Sequence, residues 1–292
     1  MPICPYCGAT VERQAGEVVL TCPFCGTAFT LQGVEVGEHL MGRVNYDIQR
    51  LFQTFKAWAL RMPETPNDFT EKATFNDYSL IFYPFWIYVV RVKVSYPGGS
   101  EEITHNVALP ASTSITNSPI EKARLSLAGK VYYSHKYVLS NNGKILNPDI
   151  DPSTADQKAL TLAVSLAQQS LAYRFGGRTR LKIDGTEIVE RKLVHQPIFH
   201  VNYTYNGKNY KFIADASDSR ILYAEVPVEL KFRVAAMLGG ITSLILGLAM
   251  LLFANNHPVF ALTSLLGFLV VGGASFSKAL TSTVVTRKFF AE

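Results

Sequence analysis

Four cysteines are the residues of this chain whose type and spacing could do chemistry: Cys4, Cys7, Cys22 and Cys25. They come as two copies of one pattern, CPYCG and CPFCG, separated by Ala9 to Thr21. Each Cys-x-x-Cys makes a tight turn that aims two thiolates at one point. Gly8 and Gly26 supply the left-handed backbone that lets amides approach the sulfurs. Two such pairs offer four thiolates, a set suited to a tetrahedral metal with no coordination position left for a substrate. A redox pair and an iron site are the competing chemistries.

The doubled Cys-Pro-aromatic-Cys-Gly, with short strands read at Val18–Leu20 and Ala28–Leu31, resembles the zinc ribbon family over residues 1–32. The resemblance implies one structural Zn²⁺ held by Cys4, Cys7, Cys22 and Cys25, with no metal catalysis and with the metal supplying folding energy. Zinc ribbons often touch nucleic acid. Through Gly33, however, this one carries Arg13 against Glu12 and Glu17 and has no Lys. Phosphate binding is driven by counterion release and needs clustered cations, so a protein-contact module is expected instead.

Other chemistry is hard to assemble. No Walker loop, dinucleotide fingerprint, His-Glu-x-x-His or Gly-x-Ser-x-Gly is present. His195 and His200 flank Pro197 on strand-like sequence. Their spacing puts them on opposite faces, so ordinary strand histidines are expected rather than a metal pair. Asp149 and Asp151 lack the ligand array of a calcium loop and read as turn residues. Asn202-Tyr203-Thr204 matches a glycosylation triplet that a cytosolic strand would not present to the enzyme. With the cysteines engaged by metal, a thiol nucleophile is excluded. No catalytic residue, organic cofactor or small-molecule substrate is identified, and the chain reads as no enzyme.

The elements that position the cysteines precede the most apolar stretch of the chain. Val234 to Ala254 runs without a charge over about 32 Å, enough for a bilayer core, and Pro258 to Phe276 over about 28 Å. Asn255, Asn256 and His257 join them. The expectation is a transmembrane helical hairpin over 234–276, against the alternative of two buried helices in a soluble protein. Lys231 and Arg233 precede the spans, and Lys278, Arg287 and Lys288 follow them. The positive-inside rule then sets both termini and the soluble domains in the cytoplasm of a multi-pass protein of the cell membrane. The absence of other cysteines and of a signal peptide agrees. Gly239, Ser243 and Gly247 are read as a close-packing face, meeting either the second span with Gly267, Gly272 and Gly273 or another subunit.

Between these ends the pattern is α+β. A linker is read at 33–42, then an amphipathic helix from Asn45 to Arg61. That helix either covers a sheet or lies on anionic lipid through Arg43, Arg50, Lys56 and Arg61. Strands follow at Ser79–Tyr83 and Phe85–Tyr96, divided by Pro84, with a return at Glu101–Leu109. Ser118 and Glu121 form a capping box for a helix to Ala128, and Lys130–Leu139 reads as a strand. A second long helix is capped by Ser153, buries Ala159, Leu160, Ala163, Val164, Ala167, Leu171 and Phe175, and stops at Gly176-Gly177. Hairpins are expected at Asp184-Gly185 and Asn206-Gly207, and a last strand at Ile221–Pro227.

Tyr83-Pro84-Phe85-Trp86 and Gln196-Pro197-Ile198-Phe199 share a rhythm, so 43–150 and 151–230 read as two related helix-plus-antiparallel-meander units. Residues 196–227 are similar to PepSY-like β-meander modules, which implies binding or regulation. Residues 277–292 form a cytoplasmic tail. The net charge of +5 is matched by the stretch Pro110–Lys192, where Arg174, Arg178, Arg180 and Lys182 crowd a helix end. Those cations suit the helix C-terminus, or else face anionic lipid or an acidic partner.

The whole reads as a membrane-anchored adaptor or accessory subunit with the bilayer and a protein as partners. The alternatives are a tethered sensor binding peptide or nucleic acid through the ribbon, and an enzyme with a cleft between the two units.

Overall fold

The structure is a computed structural model that describes all residues except 124, 126–128, 176–180, 254–256, 281–282 and 286–292. It is a mixed α+β chain. In order come β1 (Val19–Thr21), β2 (Ala28–Thr30), β3 (Glu38–Met41), α1 (Ile48–Ala59), α2 (Phe69–Lys72), β4 (Thr74–Tyr96) and β5 (Gly99–Pro110). Then follow β6 (Val131–Tyr132), α3 (His135–Ser140), β7 (Gly143–Ile145), α4 (Pro152–Arg174) and β8 (Lys182–Tyr205). The chain continues with β9 (Lys208–Asp215), β10 (Ile221–Pro227), α5 (Leu230–Met250), α6 (Pro258–Leu280) and β11 (Thr283–Val285).

Contacts group the chain into two compact units. The first holds Met1–Asp47, Tyr78–His200 and Ile213–Leu222; the second holds Ile48–Asp77, Val201–Phe212 and Tyr223–Glu292. These units interleave along the chain, whereas the sequence pattern set out two successive blocks, 43–150 and 151–230.

In the first unit, alternation along β4 buries Trp86, Tyr88, Val90, Val92 and Val94 on one face. Against them α4 lays Ala155, Ala159, Ala163, Ala167 and Leu171, a stripe at every fourth position. Small side chains let the helix backbone approach the bulky strand face. The stretch 33–42, expected as a linker, contains β3, which pairs in parallel with β8 from Glu38↔Lys192 to Met41↔His195. Lys192 Nζ sits 3.0 Å from Glu38 Oε2 across this pairing.

In the second unit, α1 turns Leu51, Phe52, Phe55 and Ala59 inward. Phe55 stacks on Phe212 with centroids 4.0 Å apart, and Phe69 and Tyr203 close around it. The amphipathic helix thus covers a sheet. Helices α5 and α6 pack on each other through small residues. A Cβ on Gly240 would meet the Phe276 ring at 3.1 Å and the Gly272 carbonyl at 3.3 Å. Ser243 Oγ donates to the Phe268 carbonyl at 2.9 Å. The packing face is Gly240, Ser243 and Gly247; Gly239, expected there, is exposed with open space around it. Both helices are long and apolar enough to cross a membrane, and their outer faces expose Leu238, Ile245, Leu248, Val259, Leu266 and Val270.

Several expected elements are corrected. Pro84 does not divide two strands, because β4 runs through it. Pro84 falls between the β7 pairing, which ends at Phe82, and the β5 pairing, which begins at Phe85. Asp184-Gly185 makes no hairpin and lies inside β8. Neither residue has the positive φ of a type I′ turn, while Asn206 and Gly207 do, at 47° and 73°.

Residues 130–139 are not one strand. Ser134 caps α3, its Oγ accepting from the Tyr137 N–H, and only Val131–Tyr132 remains extended. The capping box at Ser118 opens a 3₁₀ turn over Pro119–Lys122 that ends at Ala123, and Glu121 accepts from the Asn117 N–H, while the expected helix end at Ala128 lies outside the described residues. Asp151, with Pro152 at the first position, caps α4 in place of Ser153. The stop at Gly176-Gly177, the cations Arg178 and Arg180, Asn255 and Asn256 of the turn, and Arg287 and Lys288 of the tail lie outside the described residues. Arg174 pairs with Glu101 at 2.9 Å and Lys182 with Asp184 at 3.4 Å.

Candidate metal centre

Two knuckles of the same construction build the centre. In the first, the Gly8 N–H donates to the Cys4 carbonyl at 3.0 Å and the Cys4 N–H to the Ala9 carbonyl at 2.8 Å. In the second, the Gly26 N–H donates to the Cys22 carbonyl at 3.0 Å and the Cys22 N–H to the Thr27 carbonyl at 2.9 Å. Both glycines sit at positive φ, 73° and 81°, as the pattern requires. Each turn therefore aims its pair of sulfurs the same way.

The β1–β2 hairpin brings the knuckles together, in register from Val19↔Thr30 to Thr21↔Ala28. Alternation gives this small sheet two working faces. Leu20 and Phe29 join Cys4, Val11 and Cys22 in a cluster under the sulfurs. Val19 and Ala28 turn the other way, into the core beneath α4. The β1–β2 hairpin is thus joined to the core of the first unit by the residues that its sulfur-bearing face leaves over.

All four sulfurs lie within 4.8 Å of one another. Cys4 Sγ is 3.6 Å from Cys25 Sγ, and Cys7 Sγ is 3.6 Å from Cys22 Sγ. A tetrahedral ion with metal–sulfur bonds of about 2.3 Å places its sulfurs about 3.8 Å apart, so the four thiolates fit such an ion. Cys4, Cys7, Cys22 and Cys25 could therefore hold a metal ion. Without metal the thiols differ. Burial pushes Cys22 up to about 12 and raises Cys4. Burial also raises Cys25, but hydrogen bonds with Thr27 outweigh it and bring the thiol down to about 7. Metal binding must displace the protons of the buried pair.

His39 is a neighbour of the centre that the sequence pattern did not single out. Its Nδ1 lies 2.7 Å from the Gly26 carbonyl, and its Nε2 lies 2.7 Å from His195 Nδ1. The two histidines are separated by 156 positions, so no local pattern could announce the contact. His195 and His200 do not come together. His195 is fully buried in the His39 contact, and His200 Nε2 meets the Tyr83 hydroxyl at 2.8 Å. Asp149 accepts from the Thr113 N–H at 2.7 Å and Asp151 from the Ser153 N–H at 2.9 Å, both as turn and cap residues.

The surface along α4 is concave, with a groove of about 620 Å³ lined by Leu109, Thr154, Gln157, Lys158, Thr161, Leu162 and Ser165. Lys158 is the one ionisable residue of that lining. Comparison of the chain with protein-family models, with curated proteins and with solved structures gives no match.

Proposed function

We propose that this protein is a non-enzymatic adaptor or accessory subunit, held at a membrane by α5 and α6 and carrying one structural zinc ion. The observation that carries the reading is the four-sulfur cluster: four thiolates fill a tetrahedral shell and leave no site for a bound water or substrate. The ion supplies no reaction step; bound, it fixes the two knuckles against each other. Thiolate-only ligation suits zinc, with iron as the competing occupant.

Membrane attachment is supported by the exposed apolar faces of α5 and α6, where Leu248 is 62% and Val270 72% exposed to solvent. A soluble protein seldom presents so large an apolar surface. Lys231 and Arg233 before α5, and Lys278, Arg287 and Lys288 after the spans, favour a cytoplasmic position for both ends. Tyr6 and Phe24, the aromatic residues of the two knuckles, are each 75% exposed and give the ribbon an apolar contact surface without a basic one.

The test is gentle detergent extraction of the full chain, with mass spectrometry of what copurifies and metal analysis of the same sample. A stoichiometric protein partner with about one zinc per chain is expected. Zinc with no partner would sink the subunit reading and leave a lone sensor or an enzyme.

A further inference from the structure

The His39–His195 contact carries a constraint that burial alone hides. His39 is 7% and His195 0% exposed, so water does not intervene freely. The Gly26 carbonyl can only accept, so His39 Nδ1, at 2.7 Å, must bear a hydrogen. The Leu146 carbonyl can only accept as well, so His195 Nε2, at 3.0 Å, must bear one too. In two neutral imidazoles the remaining nitrogens would both be lone pairs. Those nitrogens are His39 Nε2 and His195 Nδ1, and they face each other at 2.7 Å. That is a hydrogen-bond distance, and two lone pairs cannot make a hydrogen bond. Rotating either ring by half a turn would place carbon against a carbonyl and lose both of its bonds.

We propose that His39 and His195 share one additional proton, so that the pair is a buried monocation clamping the second metal knuckle to the β3–β8 ladder. The proton lies between Nε2 and Nδ1, and the two outer N–H groups donate to Gly26 and Leu146. One hydrogen-bonded line therefore runs from the knuckle, through both rings, to the backbone beyond β7.

Burial works against this charge, driving His39 down to about 4 and His195 well below the ordinary histidine value. Three charge-assisted hydrogen bonds work for it. Around the pair, Tyr133 stacks on His39 with centroids 4.2 Å apart, and its hydroxyl meets His135 Nδ1 at 3.0 Å. Tyr133 in turn feels Cys22. Gln196, next along β8, faces away and bonds Asp215 and Lys130. Among the described residues no carboxylate bonds either ring, so the extra proton is held by the pair itself.

The sign of the linkage separates the alternatives. Above about pH 6.5 the unfolded histidines are neutral. A pair that keeps one proton then binds more protons folded than unfolded, and its contribution to stability falls as pH rises through the folded value. Below about pH 6.5 the unfolded chain takes two protons against one, and the contribution falls again as pH drops. A neutral pair would give a plateau on the alkaline side.

The experiment uses the full chain in detergent with ¹⁵N-histidine and a long-range proton–nitrogen correlation at pH 7.5. To leave only the pair visible, His105, His135, His200 and His257 are replaced by Gln, which touches neither member of the clamp. The expected result is that neither ring shows a fully unprotonated nitrogen, and that both lose the shared proton together at higher pH. One unprotonated nitrogen in each ring at pH 7.5, the pattern of two neutral imidazoles, would overturn the proposal. If the quadruple variant does not fold, the same count is read from the unsubstituted chain, with single His39→Gln and His195→Gln samples used to identify the lost signals.

Discussion

The four-cysteine region and the α5–α6 hairpin handle apolar surface in opposite ways. Beneath its sulfurs the four-cysteine region buries Cys4, Val11, Leu20, Cys22 and Phe29, a small cluster, and it leans on the core beneath α4 through Val19 and Ala28. The hairpin has apolar surface in excess and turns most of it outward. In the proposed reading, one region takes an ion in place of a core and the other a non-aqueous solvent around its apolar faces. The forces differ accordingly: ligand bonds to the proposed ion in the first, and close backbone packing at Gly240, Gly247 and Gly272 in the second.

The largest effect should come from the ribbon. Chelation or Cys22→Ser removes metal ligation worth about 10–16 kcal/mol in isolated zinc modules. Amide exchange over Val19–Phe29 should rise to near unprotected rates while Phe212 and its neighbours stay protected. Acidification should mimic chelation, because protons compete for the same thiolates.

A region completed by its own side chains provides the control. Phe55→Ala in the second unit should cost about 3–5 kcal/mol, read by denaturant unfolding, and should not respond to metal. In the hairpin, Gly240→Leu must displace the Phe276 ring and the Gly272 backbone and should cost about 1–3 kcal/mol. Gly239→Leu enters open space and should change stability by less than about 0.5 kcal/mol. Equal effects of the two would break the claim that the hairpin is held through its small-residue face. At α4, Asp151→Ala removes an N-cap and should cost about 1 kcal/mol, read by the same unfolding.

The ends of the molecule were legible in the sequence, and its middle in part: α1, α4, β10 and the Asn206-Gly207 hairpin stand where the pattern set them. The repeated Cys-x-x-Cys-Gly is a local pattern whose geometry is fixed within a few residues, so the knuckles appear where the spacing places them. The apolar spans are legible for the same reason, since length and lack of charge suffice. Between them, local signals were overruled. Asp184-Gly185 is a turn dipeptide by composition, yet β8 stays extended there, with Ser95 donating to the Asp184 carboxylate. Pro84 looked like a break and is not one, because its place between two pairings is set by β5 and β7. Gly240 and Gly239 are indistinguishable by type, and only the helix–helix contact chooses between them. His39 was invisible, lying in a stretch of glycines that read as a linker and meeting its partner across 156 positions.

The most direct measurement is the metal content of the full chain in membranes washed with high salt and alkali. The account predicts that the chain stays in the membrane fraction with about one zinc per chain. Release of the chain into the wash, or a folded ribbon without bound metal, would contradict it.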